Sequence, residues 1–181
     1  MGSIDFNKLW QNFVDTVTNH YADFNGRVGR AQFWYYILVL VVIMLGLSIV
    51  QSVMWTHALT ALVSLALLLP NAGMGARRLQ DIGRNGALVW AALIPAAILQ
   101  VISLLGFIGG GVGALAFLAF FFTIGWLLGL IALVVGIALI YFYVQPGMPA
   151  ANQYGPVPPV FDPTMATPAA PTPPPAAPPA A

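Results

Sequence analysis

The chain has 181 residues, of which 60% are apolar and 6% are charged, and its mean hydropathy is +0.87. Because soluble domains carry about 25% charged residues, this composition predicts an integral membrane protein and excludes an ordinary soluble enzyme. The chain contains neither cysteine nor glutamate, so thiol and glutamate chemistry are excluded, and a net charge of +1 gives no basic surface for nucleic acid.

Residues 1–22 predict an amphipathic helix. Apolar side chains recur on one face at helical spacing, including Phe6, Trp10 and Phe13, and polar side chains occupy the other face. Ser3 is the predicted N-cap. Such a helix either lies in the membrane interface or packs on the cytoplasmic ends of the membrane helices.

Residues 23–145 predict a membrane domain. Crossing a hydrocarbon core of about 30 Å takes about 20 apolar residues, and four apolar runs qualify, giving predicted spans at 33–54, 58–75, 88–105 and 121–142. A short link near Trp55–His57 joins the first two spans, and a glycine-rich turn at 106–113 precedes the last. The predicted fold is therefore an all-α integral membrane protein with four transmembrane helices.

Two features of these spans need explanation. Pro70 removes a backbone donor from the second span, which predicts a kink and places Asn71 toward protein. The apolar stretch 114–144 has 31 residues, more than one crossing needs. We interpret it as one span with an overhanging start, the alternative being two spans with a break near Gly125.

Gly125 and Gly129 form a G-x-x-x-G pattern, which allows close helix contact and therefore a homo-oligomer. The same pattern is common in membrane helices that do not associate.

Residues 146–181 are rich in proline and alanine and predict a disordered, partly polyproline-like tail. This tail either binds an unknown partner as a proline-rich ligand or stays solvated.

The basic residues predict the orientation of the chain. Lys8, Arg27 and Arg30 precede the first span, and the other three basic residues lie between the second and third spans. Because basic residues flank the cytoplasmic ends of spans, a hairpin of the first two spans places all of them in the cytoplasm. With four spans, both termini are cytoplasmic.

Three motifs resemble the small bacterial inner-membrane proteins grouped as domain of unknown function 805. They read F-N-G-R-V-G-R-A-Q-F-W-Y at 24–35, R-R-L-Q-D-I-G-R-N-G at 77–86 and G-M-P-A-A-N-Q-Y-G at 147–155. The resemblance covers roughly residues 20–159, and the sequence departs from it at Gln32, Gln80 and Ala87. It implies a multi-span inner-membrane protein with no established activity.

Two of these motifs hold most of the charge. Their candidate site residues are Asp23, Arg27, Arg30, Arg77, Arg78, Asp81 and Arg84. On a helix, Arg77, Asp81 and Arg84 share one face, and Gly83 is the predicted helix end. We interpret the motifs as a clamp in which Asp23 and Asp81 each bind a guanidinium of the other motif. The alternatives are an anionic phospholipid headgroup site and charges that only set topology.

The predicted function is that of a non-enzymatic membrane protein with a structural, lipid-binding or stress-associated role. A small transporter or channel is the alternative, although the four predicted spans contain no ionisable residue of the kind that marks an ion or proton pathway. His20 and His57 fall on opposite sides of the membrane, so no catalytic pair is predicted. We predict no catalytic residue, metal site or cofactor, and we expect membrane lipids as the partners.

Overall fold

The computed structural model describes residues 4–54, 58–108 and 110–164. The predicted N-cap Ser3, the link Trp55–His57 and the tail beyond Thr164 lie outside these ranges. Within them the regular structure is helical, apart from one isolated bridge between Asn152 and Gly155. The predicted all-helical class is therefore confirmed for the described part of the chain.

Seven α-helices follow one another in the described part of the chain. Their bounds are α1 Phe6–Thr18, α2 Arg30–Met54, α3 Ala58–Ala66, α4 Leu68–Asp81, α5 Trp90–Ile108, α6 Gly110–Phe120 and α7 Trp126–Val144. A 3₁₀ turn at Gly86–Val89 leads into α5, and a π-helical turn at Phe121–Gly125 joins α6 to α7.

Among residues 4–54, 58–108 and 110–164, three helical segments are long and apolar enough to cross a membrane, and a fourth qualifies if a bent pair counts as one span. They are Arg30–Val53, Gly86–Leu105 and Gly110–Val144, and the pair is Leu59–Ala66 with Leu68–Asp81. The chain is therefore a multi-pass membrane protein.

Two helices extend beyond the predicted spans. The helix of the predicted span 58–75 continues to Asp81 and carries two arginines. The helix of the predicted span 121–142 begins at Gly110, where φ is +60°, so α6 takes the place of the predicted overhanging start. The prediction of a turn at 106–113 is wrong for 106–108 and 110–113, which are helical. Gly110–Val144 is 35 residues of helix, in which the π-helical turn ends at the predicted break point Gly125.

The bend between α3 and α4 measures 47° and falls at Leu67, one turn before the predicted kink. Pro70 lies in the first turn of α4, where a missing N–H removes no bond within that helix. It does remove the donor that the Ala66 carbonyl would otherwise receive, and the Tyr21 hydroxyl donates to that oxygen instead. Asn71 faces protein as predicted, since its Oδ1 accepts from the Tyr36 hydroxyl at 2.6 Å.

Helix α1 packs along α2 and α4 with Leu9, Phe13 and Thr16 buried. Its N-cap is Asp5, whose carboxylate accepts from the Asn7 N–H at 2.9 Å, in place of the predicted Ser3. Phe6 and Trp10 nevertheless remain largely exposed. The helix thus has a packed face and an exposed apolar edge, and its position in the membrane interface stays a prediction.

Four helix ends meet at one end of the molecule, which we call the arginine end. The start of α2, the end of α4, the start of α5 and the end of α7 all lie there. Val28 N–H donates to the Arg77 carbonyl at 3.2 Å, Arg78 Nε donates to the Tyr143 carbonyl at 3.2 Å, and Gly86 packs on Ala76. The most deeply buried side chains, including Tyr36, Met74 and Leu79, lie nearby on α2 and α4.

Residues 146–164, which we call the C-terminal strap, lie across the arginine end. Met148 N–H donates to the Asp81 carbonyl at 2.9 Å, Asn152 Nδ2 donates to the Gln80 carbonyl at 2.9 Å, and Pro163 accepts from the Asp5 N–H at 3.1 Å. The prediction that disorder begins at residue 146 is therefore wrong for the strap. Two backbone groups and one side-chain amide of the strap thus find partners on α4 and at the N-cap of α1, which composition does not reveal.

Candidate arginine–aspartate site

The second motif is positioned by the end of α4. Gly83 has a φ of +76°, its N–H donates to the Gln80 carbonyl at 3.0 Å, and the Arg84 N–H donates to the Leu79 carbonyl at 2.9 Å. These two bonds form a Schellman motif, which confirms Gly83 as the helix end. Arg84 consequently lies beyond the helix, so the prediction that it shares a helical face with Asp81 is wrong.

Asp81 is the centre of the site and is only 2% exposed. Arg27 of the first motif places Nε and Nη2 each at 3.0 Å from Asp81 Oδ1. Arg78 Nη1 binds the other oxygen, Oδ2, from one turn earlier on α4. One carboxylate therefore binds two buried guanidinium groups, with one oxygen for each.

The remaining donors of Arg27 bind the strap. Nη2 donates to the Met148 carbonyl at 2.6 Å and Nη1 donates to the Ala150 carbonyl at 2.8 Å. The Arg27 side chain is 1% exposed. A single arginine thus joins the loop before α2, the end of α4 and the strap.

The remaining donors of Arg78 bind the end of α7. Nε donates to the Tyr143 carbonyl and Nη2 donates to the Gln145 carbonyl. The last carbonyls of a helix lack partners within it and carry the negative end of the helix dipole. Since α7 has no basic residue in its last turn, Arg78 supplies that positive charge from another element.

Asp23 and Arg77 form a second, looser pair between the motifs. Arg77 Nη1 lies 3.7 Å from Asp23 Oδ2, and the Asp23 side chain is 38% exposed. Arg77 Nε also donates to the Gly73 carbonyl at 3.4 Å. Its distance and exposure make this pair weaker than the one at Asp81.

Arg30 and Arg84 lie outside the buried pairs, and both are exposed. Arg30 Nη1 donates to the Val144 carbonyl at 3.4 Å. The Arg84 guanidinium carbon lies 5.4 Å from the centre of the Phe142 ring, within cation–π range. Both arginines are therefore exposed beside the end of α7.

The strap contributes residues that sequence reasoning did not assign to the site. Gly147 lies against Asp81 so closely that an added Cβ would fall 2.1 Å from Oδ2. Asn152 Nδ2 donates to the Gln80 carbonyl and so connects the strap to α4. The conspicuous G-M-P-A-A-N-Q-Y-G string at 147–155 was the available signal, although its composition resembles that of the tail that follows it.

Gln80 has an unusual environment. Its Nε2 donates to the Phe24 carbonyl at 2.9 Å, and its Oε1 is buried with no hydrogen-bond partner in the part of the chain that the structure describes. The amide thereby links the loop after α1 to α4. An unpaired buried acceptor is a cost that the neighbouring bonds must offset.

The two glycines proposed for helix contact have different surroundings. The nearest atoms to a Cβ added at Gly125 belong to Phe121 and Phe120 of the same helical segment, and no atom of the described residues lies within 4 Å of one added at Gly129. Neither glycine is brought into the arginine–aspartate site. A homo-oligomer through this surface stays a prediction.

Histidine and carboxylate side chains in the described ranges form no group of three that could hold a metal ion. His20 Nδ1 lies 3.1 Å from Asp15 Oδ2 on the exposed side of α1. That pair is separate from the arginine–aspartate site.

Comparison with known proteins gives one match. A family model described as "Protein of unknown function (DUF805)" matches residues 21–156. The matched region begins just before the first arginine motif and ends within the strap, so it contains every contact of the site described above. No curated protein and no solved structure matches the chain.

Proposed function

We propose that this chain, which belongs to the DUF805 family of proteins of unknown function, is a non-enzymatic protein of the bacterial inner membrane whose two arginine motifs form a structural clamp. The clamp joins the cytoplasmic ends of the membrane helices through buried arginine–aspartate pairs. Its role is to fix the helix bundle and the C-terminal strap in one arrangement.

The threading that we propose has four spans with the arginine end in the cytoplasm. Its support is that α2 leaves the arginine end and the bent pair α3–α4 returns to it, since Arg27 and Asp81 bind each other. Helix α5 leaves the same end, and α7 returns to it at Arg78. Reporter fusions after Arg84 and after Gln145 should both read cytoplasmic, and one near His57 should read external. An external reading after Gln145 would contradict this threading.

The observation that carries the clamp is the burial of Asp81 with both Arg27 and Arg78. Removing charges from water is costly unless each finds a partner and its remaining donors are hydrogen-bonded. The Arg27 and Arg78 donors described above meet carboxylate or carbonyl oxygen. Such an arrangement supports a fixed structural connection more than a site that exchanges ligands.

Binding of an anionic phospholipid headgroup is the second candidate, and the exposed Arg30 and Arg84 favour it. Each arginine near an anionic surface contributes roughly 1 kcal/mol of attraction. Arg27, Arg77 and Arg78 have less to offer a headgroup because their donors are directed at protein groups. Of the five arginines predicted for a headgroup site, Arg30 and Arg84 therefore remain as candidates.

Transport has less support. The ionisable groups that meet in the described structure lie at one end of the helices, whereas transport pathways place such groups within the spans. The groove at the bend of α3–α4 is lined by apolar residues such as Leu68, Ile94 and Ile98. Flux of an ion or solute through liposomes containing the purified protein would overturn the non-enzymatic structural proposal in favour of transport.

Native mass spectrometry and thermal melting in mild detergent separate the clamp from the headgroup site. Arg27→Gln should lower the melting temperature and leave retained anionic phospholipid unchanged. Arg84→Gln is the matched control, because it removes an exposed guanidinium and should barely affect melting. Loss of retained lipid in Arg27→Gln without a change in melting would contradict the clamp.

A further inference from the structure

An apolar groove of about 450 Å³ lies between α1 and the outer face of α2. Phe6, Leu9 and Trp10 form one wall, and Leu38, Val42 and Ile43 contribute to the other. Leu9 is buried at its base, whereas Phe6, Trp10, Leu38 and Val42 are exposed along it. The groove lies apart from the arginine–aspartate site.

The α1 wall is held in place at two points. Trp10 stacks on Phe13 with ring centres 5.7 Å apart, and Phe13 stacks on the fully buried Tyr36 at 5.5 Å. At the start of the helix, the Asp5 N–H donates to the Pro163 carbonyl of the strap. The groove is therefore formed before any ligand enters, which lowers the ordering cost of binding.

The α2 wall belongs to a helix that is long and apolar enough to cross the membrane. Leu38 and Val42 follow the start of that helix by eight and twelve residues, or about 12 and 18 Å along its axis. Both positions fall within the 24-residue segment Arg30–Val53, which is long and apolar enough to span a hydrocarbon core of about 30 Å. We therefore expect the open side of the groove to meet lipid tails.

Its size favours a hydrocarbon chain over a protein helix. Three turns of helix, about 16 Å long and about 10 Å in diameter, fill roughly 1,200 Å³, more than twice the volume of the groove. A chain of methylene groups is narrower and flexible, and it needs no hydrogen bonds from the apolar walls. The occupant must also reach the groove sideways from the bilayer, as an acyl chain does.

We propose that this groove binds one acyl chain of a membrane phospholipid. The chain lies between Trp10 and Val42 and fills the space between the amphipathic helix and the first membrane helix. This site recognises the hydrocarbon part of the lipid. It is independent of the clamp, since its walls contain none of the clamp residues.

Photocrosslinking in liposomes tests the site. The full-length protein is reconstituted in phosphatidylethanolamine and phosphatidylglycerol containing a small fraction of phosphatidylcholine with a diazirine on one acyl chain. Mass spectrometry should find adducts on Trp10 and Val42 enriched over adducts on the exposed α7 residues Leu133 and Ile137. A phosphatidylcholine with the diazirine on its headgroup should give no such enrichment.

Val42→Trp should fill the groove and reduce crosslinking at Trp10 to the level of the α7 reference positions. Leu45→Trp is the matched control, since Leu45 is 60% exposed and Val42 is 61% exposed, but Leu45 does not line the groove. Trp10→Ala removes the opposite wall and should reduce adducts at Val42, which provides a second test if Val42→Trp does not fold.

Even labelling of groove and reference positions would show ordinary lipid contact and overturn the proposal. Enrichment that persists in both Val42→Trp and Trp10→Ala would overturn it as well. Each of these outcomes leaves the melting and lipid-retention tests of the clamp unaffected.

Discussion

At the scale of single residues, the Tyr21 hydroxyl replaces a hydrogen bond that Pro70 cannot donate. The proline removes the N–H that would have bonded to the Ala66 carbonyl, and Tyr21 supplies the replacement. Tyr21→Phe should leave that carbonyl without its donor and destabilise the protein by about 0.5–1.5 kcal/mol, the net value of a hydrogen bond between exposed groups. Melting in detergent measures this loss. Tyr141→Phe is the control, because Tyr141 is largely exposed on α7, and an equal effect of both changes would contradict the assignment.

Gly147 is required by its contact with Asp81. A Cβ at this position would fall 2.1 Å from Oδ2, so Gly147→Ala should displace either the strap or the carboxylate and cost about 1–3 kcal/mol. Gly129→Ala has nothing within 4 Å of the added Cβ and should be neutral in a monomer. Melting of the two variants tests the contact, and a Gly147→Ala protein as stable as the parent would argue against it.

Residue chemistry made part of the site predictable. Charge and spacing indicated that Asp81 would bind an arginine of the first motif, and the structure pairs it with Arg27. The sequence did not distinguish Arg27 from Arg30, because both precede the same helix and only the fold determines which one turns inward. It also did not reveal the carbonyl acceptors of Arg78, since every residue carries a carbonyl whatever its side chain.

At the scale of elements, the strap shows why composition alone gave a wrong prediction of disorder. Proline and alanine predicted disorder from residue 146, because such a segment buries little apolar surface. The strap instead stays in place through backbone groups and two polar side chains, Arg27 and Asn152. The length of the apolar runs, by contrast, indicated the long apolar helices, whose ends at Asp81 and Gly110 lie beyond the predicted spans.

Truncation separates the strap from the tail that follows it. Ending the chain after Gln145 removes the Met148 and Ala150 carbonyls from Arg27 and uncovers its guanidinium. This variant should melt well below the full chain, because it loses charge-assisted hydrogen bonds and the contacts of the strap with α4. Ending the chain after Thr164 keeps those contacts and should change melting little. Equal melting of both truncations would show that the strap does not stabilise the helices.

At the scale of the whole molecule, the buried Asp81 cluster joins parts that are far apart in sequence. The Arg27–Asp81 bond links positions 54 residues apart, and the Arg27–Ala150 bond links positions 123 residues apart. Helices in lipid have no hydrophobic force to bring them together, so packing and polar contacts hold them. A charge cluster at one end of the bundle can therefore set its arrangement while the spans stay apolar.

The central claim is that Arg27 and Asp81 bind each other in a buried site, and a double-mutant cycle on thermal melting tests it most directly. Asp81→Asn should cost about 3–5 kcal/mol, as loss of one member of a buried pair does, against about 0–1 kcal/mol for an exposed pair.

Combining Asp81→Asn with Arg27→Gln should cost less than the sum of the two single changes, because the second removes a stranded charge. Combining Asp81→Asn with Arg84→Gln should be additive, since Arg84 lies on the Phe142 ring. Additivity in the Arg27 cycle, or single changes without effect on melting, would contradict the clamp and leave the arginines as topology signals alone.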